Sequence, residues 1–273
     1  MTGNTWTLED IPWARFDRSK VDPELLKIVK AAGLVEYNGG DYASYLCNVF
    51  QDDPSFQEAA NAWADEEVQH GRALGRWAEL ADPSFDFEAA FKRFTDGYKL
   101  PLDAQASVRG SRTGELVARC IVEVGTSSYY SALGEATDEP VLRAICKHIA
   151  ADEFRHYKLF YTHLKRYLEA ERIGRLRRVL VALGRINESE DDELAYAYYA
   201  ANAEPDEPYD RKRWTRAYAG RAFGYYRPKH VERGVAMTFK AAGLNSRGRL
   251  CRWASLAAYR LMQAKHERFA DAA

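Results

Sequence analysis

Two short strings in the chain carry metal-ligating side chains at the same spacing, Glu67 with His70 and Glu153 with His156. No other histidine of the six has a glutamate three residues upstream. Residues three apart share one face of a helix, so each pair can reach a common point. Each pair is preceded by a further glutamate: Glu36 stands 31 residues before Glu67, and Glu123 stands 30 before Glu153. The two halves therefore repeat at an offset of 86 or 87 residues. Four carboxylates buried together repel one another, and desolvating them without a counter-ion costs several kcal/mol each. Two divalent cations bring that sum to zero. Mixed oxygen and imidazole ligands with room for exogenous oxygen suit iron or manganese better than structural zinc, which prefers closed tetrahedral sites.

The elements that must position these residues read as helices, and no stretch alternates as a strand does. Asp22-Pro23 predicts a helix start, with apolar periodicity running to about Phe50. Asp53-Pro54 opens a second helix to about Ala81, and Asp82-Pro83 a shorter one ending near Tyr98. A long helix follows over 112–135, and Glu139-Pro140 starts another that reaches about Ile173. Two shorter helices are expected near 174–186 and 190–203, with two or three more in the remainder. Helix rise tests the register. Glu36 to the turn near residue 50 is about 21 Å, and Pro54 to Glu67 returns about 20 Å. The second half behaves alike, with thirteen steps out from Glu123 and thirteen back from Pro140. Both hairpins thus deliver a Glu and a Glu-x-x-His to one level. The expected fold is all-α: an antiparallel four-helix bundle over 21–173, an N-terminal extension over 1–20, and a C-terminal helical region over 174–273.

Composition narrows the class. Hydrophobic residues make up 47% and charged residues 29%, which argues against disorder. No window approaches the eighteen or so apolar residues of a membrane helix, and the N-terminus does not read as a signal peptide. Cys47, Cys120, Cys146 and Cys251 form no CxxC pair, so neither a zinc knuckle nor a disulfide framework is implied and a reducing cytoplasm is expected. Charge is uneven: residues 1–208 carry 24 Lys and Arg against 36 Asp and Glu, whereas residues 209–273 carry 15 against 4. Such a split fits docking of the tail on the acidic body, or an acidic partner.

At the paired strings the chain resembles the soluble acyl-carrier-protein desaturases of the ferritin-like di-iron superfamily. Their motifs read roughly EENRHG and DEKRHE, and the matching strings here are EEVQHG at 66–71 and DEFRHY at 152–157. The likeness extends through AWADEEVQHGRAL and ICKHIAADEFRHYKLFY and covers about residues 25–170. It implies a ferritin-like bundle core and two iron ions, with an iron–manganese pair suiting the same ligands. Glu36 and Glu123 would each be terminal to one ion, Glu67 and Glu153 would bridge, and His70 and His156 would complete one ion each. Thr126 matches a threonine placed beside the oxygen-binding face, where its hydroxyl could relay protons; simple helix packing explains it equally well. Asp152 resembles the carboxylate that orients the partner hairpin's histidine, here His70. The chain departs from the plant enzymes in its shorter length and tighter Glu36–Glu67 and Glu123–Glu153 intervals.

The resemblance implies an oxygen-dependent oxidase or oxygenase acting on an unactivated C–H bond, most like a desaturase of carrier-bound acyl chains. It also implies a ferredoxin or reductase as electron donor, and a homodimer is expected. The alternatives are ferritin-like iron oxidation or peroxide removal, and hydroxylation or N-oxygenation of a non-acyl substrate. Arg211, Arg213, Trp214, Arg216, Tyr218, Arg221, Phe223, Tyr225 and Tyr226 mix charge with aromatic surface as a nucleic-acid site would, but a helical face packed on the acidic body is favoured. For Leu250, Trp253, Ala257 and Leu261, flanked by arginines, ordinary helix docking is favoured over peripheral membrane contact. His163, two turns beyond His156, reads as a structural histidine rather than a seventh ligand. Tyr129, Tyr130, Phe160 and Tyr161 read as core. Gly39, Gly40 and Gly125 fit either open space beside the ions or close helix approach.

Overall fold

The computed structural model describes residues 6–188 and 192–270. All regular structure among them is helical: eleven α-helices with a few 3-10 turns and no strand. They are α1 (Pro23–Tyr37), α2 (Gly39–Val49), α3 (Pro54–Ala81), α4 (Phe87–Gly97), α5 (Arg112–Ala136) and α6 (Pro140–Glu171), then α7 (Arg175–Glu188), α8 (Asp192–Asn202), α9 (Arg211–Ala222), α10 (Pro228–Ala242) and α11 (Arg249–Ala270).

The helix starts follow from capping chemistry. Asp22 accepts from the amides of Glu24 and Leu25, Asp53 from that of Phe56, and Glu139 from that of Leu142. Each is followed by a proline whose missing N–H costs nothing in the first turn. The same signal misleads at Asp82-Pro83. Asp82 instead pairs with Lys30 at 2.7 Å and holds the amide and hydroxyl of Ser84, and the helix begins only at Phe87 under the cap Asp86. The single helix expected over 23–50 also divides. At Asn38 the backbone N–H turns back to Val35 and Glu36 rather than continuing the ladder, so α1 ends one residue after Glu36. Beside the break the backbone is pressed against α3: a Cβ on Gly39 would stand 2.6 Å from the Glu67 Cβ.

Apolar side chains fall into two clusters. One contains Leu34, Leu74, Trp77, Leu133 and Ile145; the other contains Leu46, Phe56, Trp63, Cys120 and Phe160. On α3 and α6 the Glu-x-x-His pairs lie between the stretches that feed the two clusters. The polar level is thereby walled above and below by packed hydrocarbon. The C-terminal helices dock on the body: α8 and α9 pack against α1, and α7 and α10 against α5, while α11 packs against α9 and α10. Ion pairs from Arg221 to Glu24 and from Lys229 to Glu135 join the basic tail to the acidic body.

Candidate metal centre

Four helices contribute one polar level. Glu36 comes from α1, Glu67 and His70 from α3, Glu123 from α5, and Glu153 and His156 from α6, and none is more than 7% exposed. Their ligand atoms form two groups, each within 4.8 Å: Glu36, Glu67, His70 and Glu153 in one, Glu67, Glu123, Glu153 and His156 in the other. Glu67 and Glu153 belong to both. Six side chains that the spacing alone singled out therefore meet in a buried cluster able to hold metal.

The histidines present Nδ1 inward. His70 Nδ1 lies 3.4 Å from both Glu36 Oε2 and Glu153 Oε1. His156 Nδ1 lies 3.0 Å from Glu67 Oε1 and 3.6 Å from Glu123 Oε2. Their Nε2 atoms point away, to a carboxylate each: His70 to Asp152 at 3.0 Å and His156 to Glu66 at 2.8 Å. A carboxylate on Nε2–H fixes the tautomer and frees the Nδ1 lone pair for a cation. Arg155 spans the two outer carboxylates, 2.6 Å from Asp152 and 3.1 Å from Glu66.

Electrostatics show how poorly the cluster is satisfied without a cation. Burial pushes the Glu36 and Glu123 carboxyls well up, and the neighbouring Glu67 and Glu153 charges add to it. His70 and His156 are raised despite burial, because the carboxylates around them favour the protonated ring; Asp152 contributes most to His70 and Glu123 most to His156. Protons thus stand in for missing positive charge. Both oxygens of Glu123, Oε1 of Glu153 and Nδ1 of His156 are buried with no hydrogen-bond partner. Buried polar atoms of this kind are rare unless something occupies the space they face. Carboxylate and imidazole donors around two points fit a pair of hard or borderline divalent ions.

Compared with protein-family models and with characterised proteins, the chain matches none.

Thr126, half-buried one turn after Glu123, donates to Glu153 Oε2 at 2.5 Å. Tyr130, expected as plain core, is buried but also reaches the cluster: its hydroxyl donates to Glu36 Oε1 at 2.6 Å. Spacing from Glu123 offered a clue, since seven residues is two turns on the same face. Glu66 was legible in principle, because it precedes Glu67 as Asp152 precedes Glu153. Trp6 was not. Its indole donates to Asp152 Oδ2 at 2.7 Å and stacks on the His70 ring at 6.0 Å, from an N-terminal segment with no spacing signal. His163 stays out of the cluster, half-buried, with Nδ1 2.9 Å from the Arg166 guanidinium and its ring edge-on to Phe56.

A mostly apolar cavity of about 420 Å³ opens onto the cluster. Glu36, Glu67, Glu123 and Glu153 line it, together with further residues of α1, α3 and α5 and with residues of the C-terminal region, among them Tyr218, Tyr226, Val231 and Leu261. Gly39 and Gly125 both line it, but only Gly125 faces open space. The glycines thus play both suggested roles: Gly39 allows close approach and Gly125 leaves room. Trp214 is buried against Tyr198 and Tyr199. Tyr218 and Tyr226 face the cavity, so tail aromatics grouped above as a nucleic-acid surface are turned inward.

Proposed function

We propose that the chain is an oxygen-dependent di-iron oxidoreductase that oxidises an unactivated C–H bond of an apolar substrate, in the manner of an acyl-carrier-protein desaturase. The observation that carries this reading is the pair of ligand groups sharing Glu67 and Glu153. Glu36 and His70 would complete one ion, Glu123 and His156 the other, and iron (or iron with manganese) suits this donor set. Bound there, the pair would supply oxygen activation, using electrons from a ferredoxin or reductase.

The protein's own side chains have separate tasks. Asp152 and Glu66 hold the Nε2 protons of His70 and His156 and so aim the Nδ1 atoms. Tyr130 holds Glu36 through its Oε1. Thr126 sits on the cavity side with its hydroxyl proton at Glu153 Oε2, placed to hand a proton to a reacting group. Leu46, Phe56, Leu74 and Trp77 keep water from the level above and below. The cavity is of the size that encloses one small organic molecule or a stretch of chain. An iron-storage reading leaves this C-terminal apolar lining without a role.

Oxygen uptake by reduced, iron-loaded protein tests the proposal, with acyl carriers and free amphiphiles as candidates. Uptake that rises with substrate and falls about tenfold or more in Thr126→Val at unchanged iron content is expected. Iron oxidation that never responds to any apolar substrate would contradict it.

A further inference from the structure

Eight of the ten exposed large hydrophobic side chains among the described residues lie on two helices, α7 and α11. On α7 they are Leu176, Leu180, Leu183 and Ile186, at 74, 60, 53 and 42% exposure. Their spacing of four, three and three places them on one face. On α11 they are Leu250, Trp253, Leu256 and Leu261, at 67, 66, 43 and 58%. The helix docking expected for Leu250, Trp253 and Leu261 is therefore corrected: α11 packs on α9 and α10 through its other side, where Cys251 and Ser255 are buried. Patches of this kind on a monomer mark something that covers them.

The two helices border one opening. Arg185 and Ile186 of α7 and Ala258, Leu261, Met262 and Lys265 of α11 all line the cavity that leads to the carboxylate cluster. Near the opposite end of α7, the Arg178 guanidinium packs against Gly243, just before the turn into α11.

Charge decides the occupant. The two helices carry nine Lys and Arg against two Glu. Arg175, Arg249, Arg252 and Arg260 are exposed, and among the described residues no carboxylate lies within ion-pair distance of them. A second copy would set like charge against like. Nucleic acid would use the arginines but leave the leucine face uncovered. A helix with leucine and tryptophan on one side and arginines beside them suits the boundary of an anionic bilayer.

We propose that the apolar faces of α7 and α11 seat the protein on an anionic lipid surface, so that the cavity between them opens towards the lipid. No helix of the described residues is long and apolar enough to cross a membrane, so the contact is peripheral. This inference stands on surface geometry and does not require the metal reading.

Flotation of the full chain with vesicles tests it, comparing about one-third phosphatidylglycerol in phosphatidylcholine with phosphatidylcholine alone, at about 50 and 500 mM salt. The protein is expected to float with anionic vesicles at low salt and at least tenfold less with neutral ones. The double substitution Leu180→Glu with Trp253→Glu is expected to lower binding at least tenfold without moving the thermal melt, since both sites are exposed. Brominated lipid is expected to quench wild-type tryptophan emission, a readout that needs no variant to fold. Absence of flotation with either vesicle would overturn the proposal, as would equal affinity for both or binding that the double substitution leaves intact. So would a self-association lost in that variant, or retention by total RNA, without lipid binding.

Discussion

The α1–α3 pair and the α5–α6 pair each bring a glutamate and a Glu-x-x-His to one level, at an offset of 86 or 87 residues, but they reach it through different packing. In the first pair, glycines let backbones touch: a Cβ on Gly71 would lie 2.5 Å from the Tyr37 amide nitrogen, and one on Gly39 2.6 Å from the Glu67 Cβ. In the second, the matching register is opened. Thr126 stands where Gly39 stands in the first half, and Gly125 beside it faces nothing within 4 Å. The outer carboxylates differ as well. Both meet Arg155, but Asp152 is buried and capped by Trp6, whereas the Glu66 side chain is 24% exposed. The six-residue frame is symmetric, and the asymmetry directs the open side towards Thr126 and the cavity.

The largest expected effect comes from breaking what the halves share. Glu153→Gln removes a carboxylate common to both ligand groups, so metal analysis should show both ions lost, whereas Glu123→Gln should lose one. Next comes the contrast between the outer carboxylates. Asp152→Asn is expected to weaken metal affinity about 10–100-fold, and Glu66→Gln less, since solvent can replace part of its hydrogen bond; competition against a chelator measures both. The glycines sharpen the comparison through stability. Gly71→Ala should destabilise by about 1–3 kcal/mol, because the backbone it meets cannot yield. Gly125→Ala should gain up to about 1 kcal/mol from helix propensity; denaturant unfolding checks both.

The smallest effect tests a contact at the edge of the first half. The Lys30 ammonium pulls Asp82 from its ordinary 3.8 to about 2. Its contribution is present above pH 3.8 and is lost as pH falls towards 2. The Asp82 side chain is 31% exposed, so Asp82→Asn should cost under about 1 kcal/mol near neutral pH and progressively less as pH falls through 2, by unfolding at each pH.

Much of this architecture was legible because it is periodic. Caps at Asp22, Asp53 and Glu139 and the three-residue Glu–His spacing are local, and helix rise carried them to a common level without any long-range contact being known. What escaped depends on residues far apart in sequence. The break at Asn38 lies where Gly39 meets Glu67 of another helix. The late start of α4 follows from Asp82 pairing with Lys30. Trp6 reaches Asp152 across 146 positions. The outward face of α11 was misread for the same reason: an amphipathic pattern shows that a face exists, not which side the body takes.

Anaerobic titration of metal-free protein with ferrous iron, read by metal content and Mössbauer spectroscopy, tests the paired site most directly. Two irons per chain are expected, coupled through shared carboxylates, with both lost in Glu153→Gln. A single isolated iron, none, or loading that ignores this substitution would contradict it.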